Sequence, residues 1–516
     1  MKFALSSVAV AALLSPAAAG KTPLLFSATL GSNMVLQRGP QITTVWGFCD
    51  SSKSAPVTVT FGDIVESAPC DASNQFHVPL PALASCSEGK DLVASHQEET
   101  VSLSNVVVGD VLLCSGQSNI EMGATFAFEA DEVAKEADDA AAGIRLFYVA
   151  ATEKDDAPAV DIVPDGRHDE PWSVSSAANV VGSKTGDFDG QFSAVCWSFG
   201  YDVWSRDKSV PIGLVDTHWG GTNIQAWSSP AALAKCSSFN VGDGPNDHSS
   251  SLYNGMLAPL FPLQIAAAVW YQGESNVGGS EWYECALGAM IEDWRGSFGW
   301  DFPFGIVQLS GYGRVGIGCA GDECVADDSY PVADLRGAEL GVVGSVPGTF
   351  LAVSVDYEDP DPLNNSAGDI HPRNKREVGR RLGEGLRGRV TPSLSGCSVG
   401  NGTLTIELRG VAGGTVAGLT KEGIEVLKED GTWVDAPILE ASGAQVVVDT
   451  GAAKGDVAGV RYAWRDSPCC KQEEYDASAC PIGGGGMCSL YVSQDGEGWD
   501  VPVSSFWAPI DDGNCV

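Results

Sequence analysis

The sequence predicts an α/β catalytic domain, built as a three-layer parallel sheet and flanked by β-rich segments. Three observations carry that prediction. Mostly apolar runs at 106–114, 210–215, 264–271 and 349–355 look like strands buried on both faces, and each leads to a polar, glycine-bearing cluster beyond the strand's carboxyl end. Before the first run and after the last, period-two alternation takes over, at 57–61 and 101–104 on one side and at 403–408 and 445–448 on the other. The chain has 516 residues, and chains above about 300 residues usually divide into more than one domain. The expected organisation is a signal peptide at 1–19, an N-terminal β-rich domain at 20–105, the catalytic domain at 106–390 and a C-terminal β-rich, Cys-rich region at 391–516.

The elements follow in order. Lys2, an apolar stretch at 3–14 and Ala17-Ala18-Ala19 before Gly20 form a secretory signal with an A-x-A cleavage site. The stretch is too short to span a bilayer, which takes roughly 20 residues, so the expected location is secreted or lumenal, a lysosome-like compartment included, with no membrane span. Gly62, Pro69, Asn74, Pro79, Pro81 and Gly89 then punctuate the first β module at turn spacing. The run 106–114 enters Ser115-Gly116-Gln117-Ser118-Asn119, followed by an Ala/Glu/Asp-rich helix at 129–142. The second run ends at Trp219-Gly220-Gly221-Thr222 and the third at Gln272-Gly273-Glu274-Ser275-Asn276. The fourth leads through an acidic loop at 356–361 to Gly368-Asp369-Ile370-His371-Pro372 and a basic helix at 373–386. The last fifty residues read as irregular.

Composition narrows the function. Thirty Lys+Arg against 67 Asp+Glu give a net charge of −37, which excludes a nucleic-acid binder, since such proteins neutralise phosphates with Lys and Arg. Fifteen cysteines behind a secretory signal point to disulfides, and none has zinc-site spacing, so neither a metal nor another cofactor is expected. Cys114 and Cys196, in apolar surroundings, read as buried thiols; Cys319 and Cys324 read as a small disulfide loop, and the tail from Cys469 to Cys515 as held by bridges. Asn364 and Asn401 fit the N-glycosylation pattern.

The chemistry gathers at the strand ends. Ser118 follows a glycine that permits a tight turn and stands at the start of a helix, whose N–H groups can stabilise an oxyanion. Of six histidines, His371 combines a loop beyond a strand end, an acid two positions earlier and a stiffening proline directly after; His218, with Asp216, is the second choice.

These residues resemble a known family. Leu113 to Asn119, Pro211 to Val215 with Trp219 to Thr222, Leu252 to Met256, Trp270 to Asn276 and Asp369 to Pro372 look like the sialate O-acetylesterase family of SGNH-type hydrolases, as do Met34 to Arg38 and Val460 to Trp464. The resemblance implies an SGNH-hydrolase-like fold, Ser118 as nucleophile and His371 as general base. It also implies an oxyanion held by the Ser118 N–H, Gly220 or Gly221, and an amide of Gln272 or Asn276. Gln117 stands where many members have Asp, and is counted with the oxyanion and substrate residues. The acid precedes His371 by two positions rather than three, so Asp369 is the first choice to orient the ring and Glu274 the alternative. Trp219, Trp227, Trp270 and Trp282 are assigned mainly to packing, and the acidic loop to solvent. The function implied is a secreted serine esterase that removes O-acetyl groups from acylated sugars, its partner being an acetylated sugar or glycan. The alternatives are an acetylxylan or other polysaccharide acetylesterase, and a non-catalytic carbohydrate-binding surface protein.

Overall fold

The computed structural model describes residues 22–163, 172–182, 188, 192–236, 248–312, 330–359, 365–411, 413–418, 423–469, 488–494 and 499–516; the expected signal peptide, Cys319, Cys324, Cys470, Cys480, His168 and Asn364 lie outside them. At its centre are six parallel strands: β1 (Glu99–Gly116), β2 (Ile144–Tyr148), β3 (Ile212–His218), β4 (Ala267–Tyr271), β5 (Phe304–Gln308) and β6 (Thr349–Val353). Their spatial order is β2-β3-β1-β4-β5-β6. Every residue of β3, β4 and β5 is buried, as a parallel sheet covered on both faces requires.

Two helix pairs supply the cover. Helix α1 (Ala194–Arg206) packs on α4 (Arg376–Leu386), and α2 (Ser280–Phe298) on α3 (Pro331–Ser345). Both α3 and α4 lie against β5 and β6, so the pairs occupy opposite faces. The Ser193 hydroxyl caps α1 by accepting the Cys196 N–H, and α2 stops at Gly299, whose φ of 83° is left-handed. The sequence reading does not mark β2, β5, α1, α2 or α3.

The expected boundary at 105/106 falls inside β1. The first half of that 18-residue strand pairs with Cys86–His96, which pairs in turn with Val57–Phe61, while its second half lies between β3 and β4. One hydrophobic core therefore runs from Leu24 to Leu382 and also takes in Cys469, Cys488 and Tyr491. A second core, from Cys397 to Ala508, fills an antiparallel β region. The described part of the last fifty residues is not irregular: Leu490–Gln494, Trp499–Pro502, Phe506–Asp511 and Asn514–Cys515 are strands, and Phe506–Asp511 pairs with Val457–Tyr462.

Five disulfides occur among the described residues: Cys49–Cys70, Cys114–Cys196, Cys236–Cys285, Cys397–Cys515 and Cys469–Cys488. Cys114 and Cys196 are thus not thiols. They are buried as expected, but they face each other across the packing of β1 on α1, with Cα atoms 5.8 Å apart. Cys86, half-buried, keeps a free thiol. The described part of the acidic loop, 356–359, is also not solvated. Asp356 takes a two-pronged ion pair from Arg381, Asp359 one from Arg373, and Glu358 accepts the Ser467 hydroxyl, all three acids being buried. No helix among the described residues is long and apolar enough to cross a membrane, and the disulfides fit an extracellular or lumenal protein.

Candidate active site

The strand register builds the site. Gly116 at the end of β1 lies opposite His218 of β3 and Tyr271 of β4, so the three segments that follow emerge side by side at one edge of the sheet. The β3–β4 connection crosses over β1, which makes this edge a topological switch point, the usual place for a crevice in such sheets. Gly116 cannot carry a side chain: its φ is +144°, and a Cβ would stand 2.2 Å from the Tyr271 carbonyl oxygen. The tight turn it allows delivers Ser118 as the first residue of the helical turn Ser118–Glu121.

His371 meets that serine. Its Nε2 lies 2.8 Å from Ser118 Oγ, and its Nδ1 lies 2.7 Å from the carbonyl oxygen of Ala367. A carbonyl can only accept, so Nδ1 carries the proton and Nε2 presents its lone pair to the serine hydroxyl, the arrangement a general base requires. Burial pushes the imidazole pKa down; the Ala367 bond and the field of Asp369 oppose this, and the charge of Lys375 adds to it. The Phe188 ring stands edge-on to the imidazole at 4.9 Å and touches Phe126 at 5.6 Å, forming an aromatic wall that the sequence does not signal.

The loop bearing His371 is fixed from below. Asn365 Nδ2 shares its two protons among the His371 carbonyl (2.8 Å), the Gly368 carbonyl (2.9 Å) and Asp359 (3.0 Å), while the Arg373 guanidinium anchors to Asp359 through two bonds and its backbone N–H through a third. Neither carboxylate proposed to orient the ring takes Nδ1. Asp369 is buried and acts on the imidazole through its field, and Glu274 Oε1 accepts the side-chain amide of Asn119. The physical reason is the turn at 365–371, which aims a backbone carbonyl, not a side chain, at the ring. In a triad whose acid accepts Nδ1–H, exchanging that acid for its amide costs about four orders of magnitude in rate. Asp369→Asn is accordingly expected to lower kcat only about tenfold, with KM unchanged; steady-state kinetics showing a loss of ~10⁴-fold would restore Asp369 as the orienting acid.

Gly220 abuts the nucleophile: a Cβ there would lie 3.3 Å from Ser118 Cβ and 2.3 Å from Glu121 Oε2. Gly221, at φ +75°, continues the turn. The amides expected to face the oxyanion do other work. Gln272 Nε2 spends its two protons on the Thr222 carbonyl (3.2 Å) and Asn276 Oδ1 (2.7 Å), and Asn276 donates to Gln225 Oε1 (3.0 Å). Gln117 Oε1 accepts the N–H groups of Ser275 (3.2 Å) and Gly273 (3.4 Å). All three are buried and brace the strand-end loops against one another, because backbone groups left by the ending strands need partners.

His218, the second-choice base, sits buried with Nε2 3.3 Å from Asp216, Nδ1 3.9 Å from Glu121 and its ring against Tyr148. Trp227, Trp270 and Trp282 are core residues, whereas Trp219 is half-buried beside the glycine pair. Beyond the sequence-derived set, the site includes Asn119 and Lys375, both buried. Asn119 Nδ2 donates to the Ile370 carbonyl (2.8 Å) as well as to Glu274, and Asn119 Oδ1 accepts from Lys375 Nζ. A lysine in an outwardly basic helix gives no sign that it turns inward.

Known proteins share this organisation. Residues 108–321 match the model of a carbohydrate esterase, sialic acid-specific acetylesterase, family, and residues 398–479 match a sialate O-acetylesterase C-terminal domain. The sialate O-acetylesterase of Homo sapiens is 32% identical over 505 residues, covering 89% of this chain and 89% of its own. That of Mus musculus is 30% identical over 521 residues, covering 86% and 90%. A crystal structure of a carbohydrate acetylesterase from Xanthomonas citri superposes with a TM-score of 0.75 at 28% identity, covering 94% of this chain and 99% of that one.

Proposed function

Because this chain belongs to the sialate O-acetylesterase family and is a carboxylic ester hydrolase, we propose that it is a secreted serine esterase that removes O-acetyl groups from acylated sugars through an acyl-enzyme. The observation that carries this reading is the 2.8 Å contact between Ser118 Oγ and a His371 nitrogen whose lone pair is fixed by the Ala367 carbonyl. Ser118 Oγ attacks the acetyl carbonyl carbon as its proton passes to His371 Nε2. The oxyanion is held by backbone N–H groups, those of Ser118 and of Gly220 or Gly221. His371 then returns the proton to the sugar oxygen as it leaves, and water repeats the cycle on the acetyl-serine. The two-fold role of the imidazole requires one ring nitrogen to stay on the serine throughout, which the Nδ1 anchor provides.

Within this reading, acetylated neutral polysaccharide is favoured as a second substrate class beside O-acetylated sialosides. The net charge is −37, and the Glu121 carboxylate stands against Gly220 beside the nucleophile, so an anionic sugar meets repulsion both at long range and at the site. Acetate release from a panel of O-acetylated sialosides and acetylated xylan oligosaccharides tests it. Hydrolysis of both, with kcat/KM for the sialosides rising with added salt as repulsion is screened, is the expected result. Failure to release acetate from any member would remove the assignment as a sugar esterase.

A further inference from the structure

The geometry points to a side-chain clip, centred on Asn119 and held by Lys375 and Glu274, that sets the distance between the nucleophile and its base. It rests on the reading of Ser118 and His371 as the reacting pair.

Asn119 directly follows Ser118, and the carbonyl it grips, that of Ile370, directly precedes His371, at 2.8 Å. One amide therefore spans the two residues adjacent to the reacting groups, which come from loops 253 positions apart. The amide is itself oriented from both sides. Lys375 Nζ donates to Oδ1, so the oxygen must point at the lysine and the NH₂ must point at Glu274 and Ile370. A flipped Asn119 would set its oxygen against two acceptors and its protons against an ammonium.

The surroundings show that Lys375 is there for a purpose other than solubility. It is 1% exposed, its Nζ lies 5.0 Å from the centroid of the Tyr271 ring, and burial draws its pKa down to about 7. Burying an ammonium costs several kcal/mol unless it is paired. The groups that face it are Glu274 from the loop after β4, Asp359 from the loop after β6, and His371 in its own segment. Among the described residues the Glu274 carboxylate takes Asn119 as its side-chain partner and Lys375 as the near positive charge, with the backbone N–H groups of Gly273 and Glu274 beside it. The fold buries an acid and a base together where they can orient a neutral amide between the nucleophile and the base.

The test uses the full-length enzyme with two near-isosteric variants. Asn119→Asp retains the acceptor for Lys375 and loses both donated bonds; Lys375→Met retains the buried stem and loses the donor. A displacement of about 1 Å in reacting groups costs on the order of 10²-fold in rate. Both variants are therefore expected to lower kcat for a chromogenic acetate by ~10- to 100-fold, with KM within about twofold of wild type. Lys375→Met is also expected to move the acid limb of kcat/KM to higher pH, because the lysine charge holds the imidazole pKa down. A residue that served folding alone would not move that limb. In parallel, a fluorophosphonate probe, which loses fluoride as a serine oxygen bonds to phosphorus, is followed by mass spectrometry. Labelling should reach completion at Ser118 in each variant, but ~10- to 100-fold more slowly. Wild-type kcat and labelling rate in both variants would overturn the clip, and so would a loss confined to KM. Labelling at a serine other than Ser118 would instead overturn the reading of the reacting pair.

Discussion

Ser118→Ala is expected to lower hydrolysis of acetate esters by about 10⁴- to 10⁶-fold, because nucleophile and base act as a unit and the loss of either forfeits the covalent route. The substitution removes one oxygen from a partly exposed side chain whose hydroxyl contacts His371, so no cavity opens in the core and no buried group loses a bond it needs for folding. KM and the thermal midpoint should therefore stay close to wild type while kcat collapses. The oxyanion groups remain, so a residual rate above that of water is expected rather than none. Two measurements check this: turnover of a chromogenic acetate, and mass spectrometry of enzyme quenched during turnover, which should show an added acetyl group on wild type and none on the variant. Turnover near wild type would mean that a group other than Ser118 attacks the ester.

The parts of this site that were legible in the sequence are those fixed by strand periodicity. An apolar run must be buried, a glycine at its end must turn, and whatever polar group follows must emerge at the sheet edge; Ser118 and His371 were found in this way, whereas the role of Gly220 came from the family resemblance. β1 shows both the strength and the limit of that reasoning. Its alternation at 101–104 and its apolar run at 106–114 looked like two domains, because its first half shows one face to solvent and its second half is covered on both. One strand crossing from one environment to another writes both patterns. Side-chain direction beyond a strand end has no such signature. Gln272 and Asn276 sit at the right place for an oxyanion donor, yet an amide can equally satisfy buried backbone, and here Gln272 donates to the Thr222 carbonyl and Asn276 Oδ1 accepts the Ile224 N–H. Likewise, acids at 356–359 announce solvent unless cations meet them, and the cations that do, Arg373 and Arg381, come from the following loop and helix and looked like an outward basic face. The partner of His371 Nδ1 was the least legible of all, since the Ala367 carbonyl is a backbone group that every residue carries.

The second large effect is expected at that histidine. His371→Gln keeps a hydrogen-bonding side chain near Ser118 but has no nitrogen that can take and return a proton at neutral pH, so kcat should fall by about 10⁴-fold or more. The pH profile of the wild type reports the same group. Burial is the largest influence and lowers its pKa; the bond to Ala367 pulls in the other direction, Lys375 lowers it further, and Asp369 raises it. The net direction is downward from the ordinary value of about 6.5. The base must be neutral to act, so activity is fully present above that lowered pKa and is lost as pH falls through it. The kcat/KM profile should thus be level through pH 7 and turn down, with a slope of one, only below about pH 6.5. In His371→Gln the residual rate should lose this limb entirely, rising instead with hydroxide concentration as the bulk base takes over. An acid limb that survived unchanged in His371→Gln would assign it to a different group, and His218, paired with Asp216 at the end of β3, would then be the base to test.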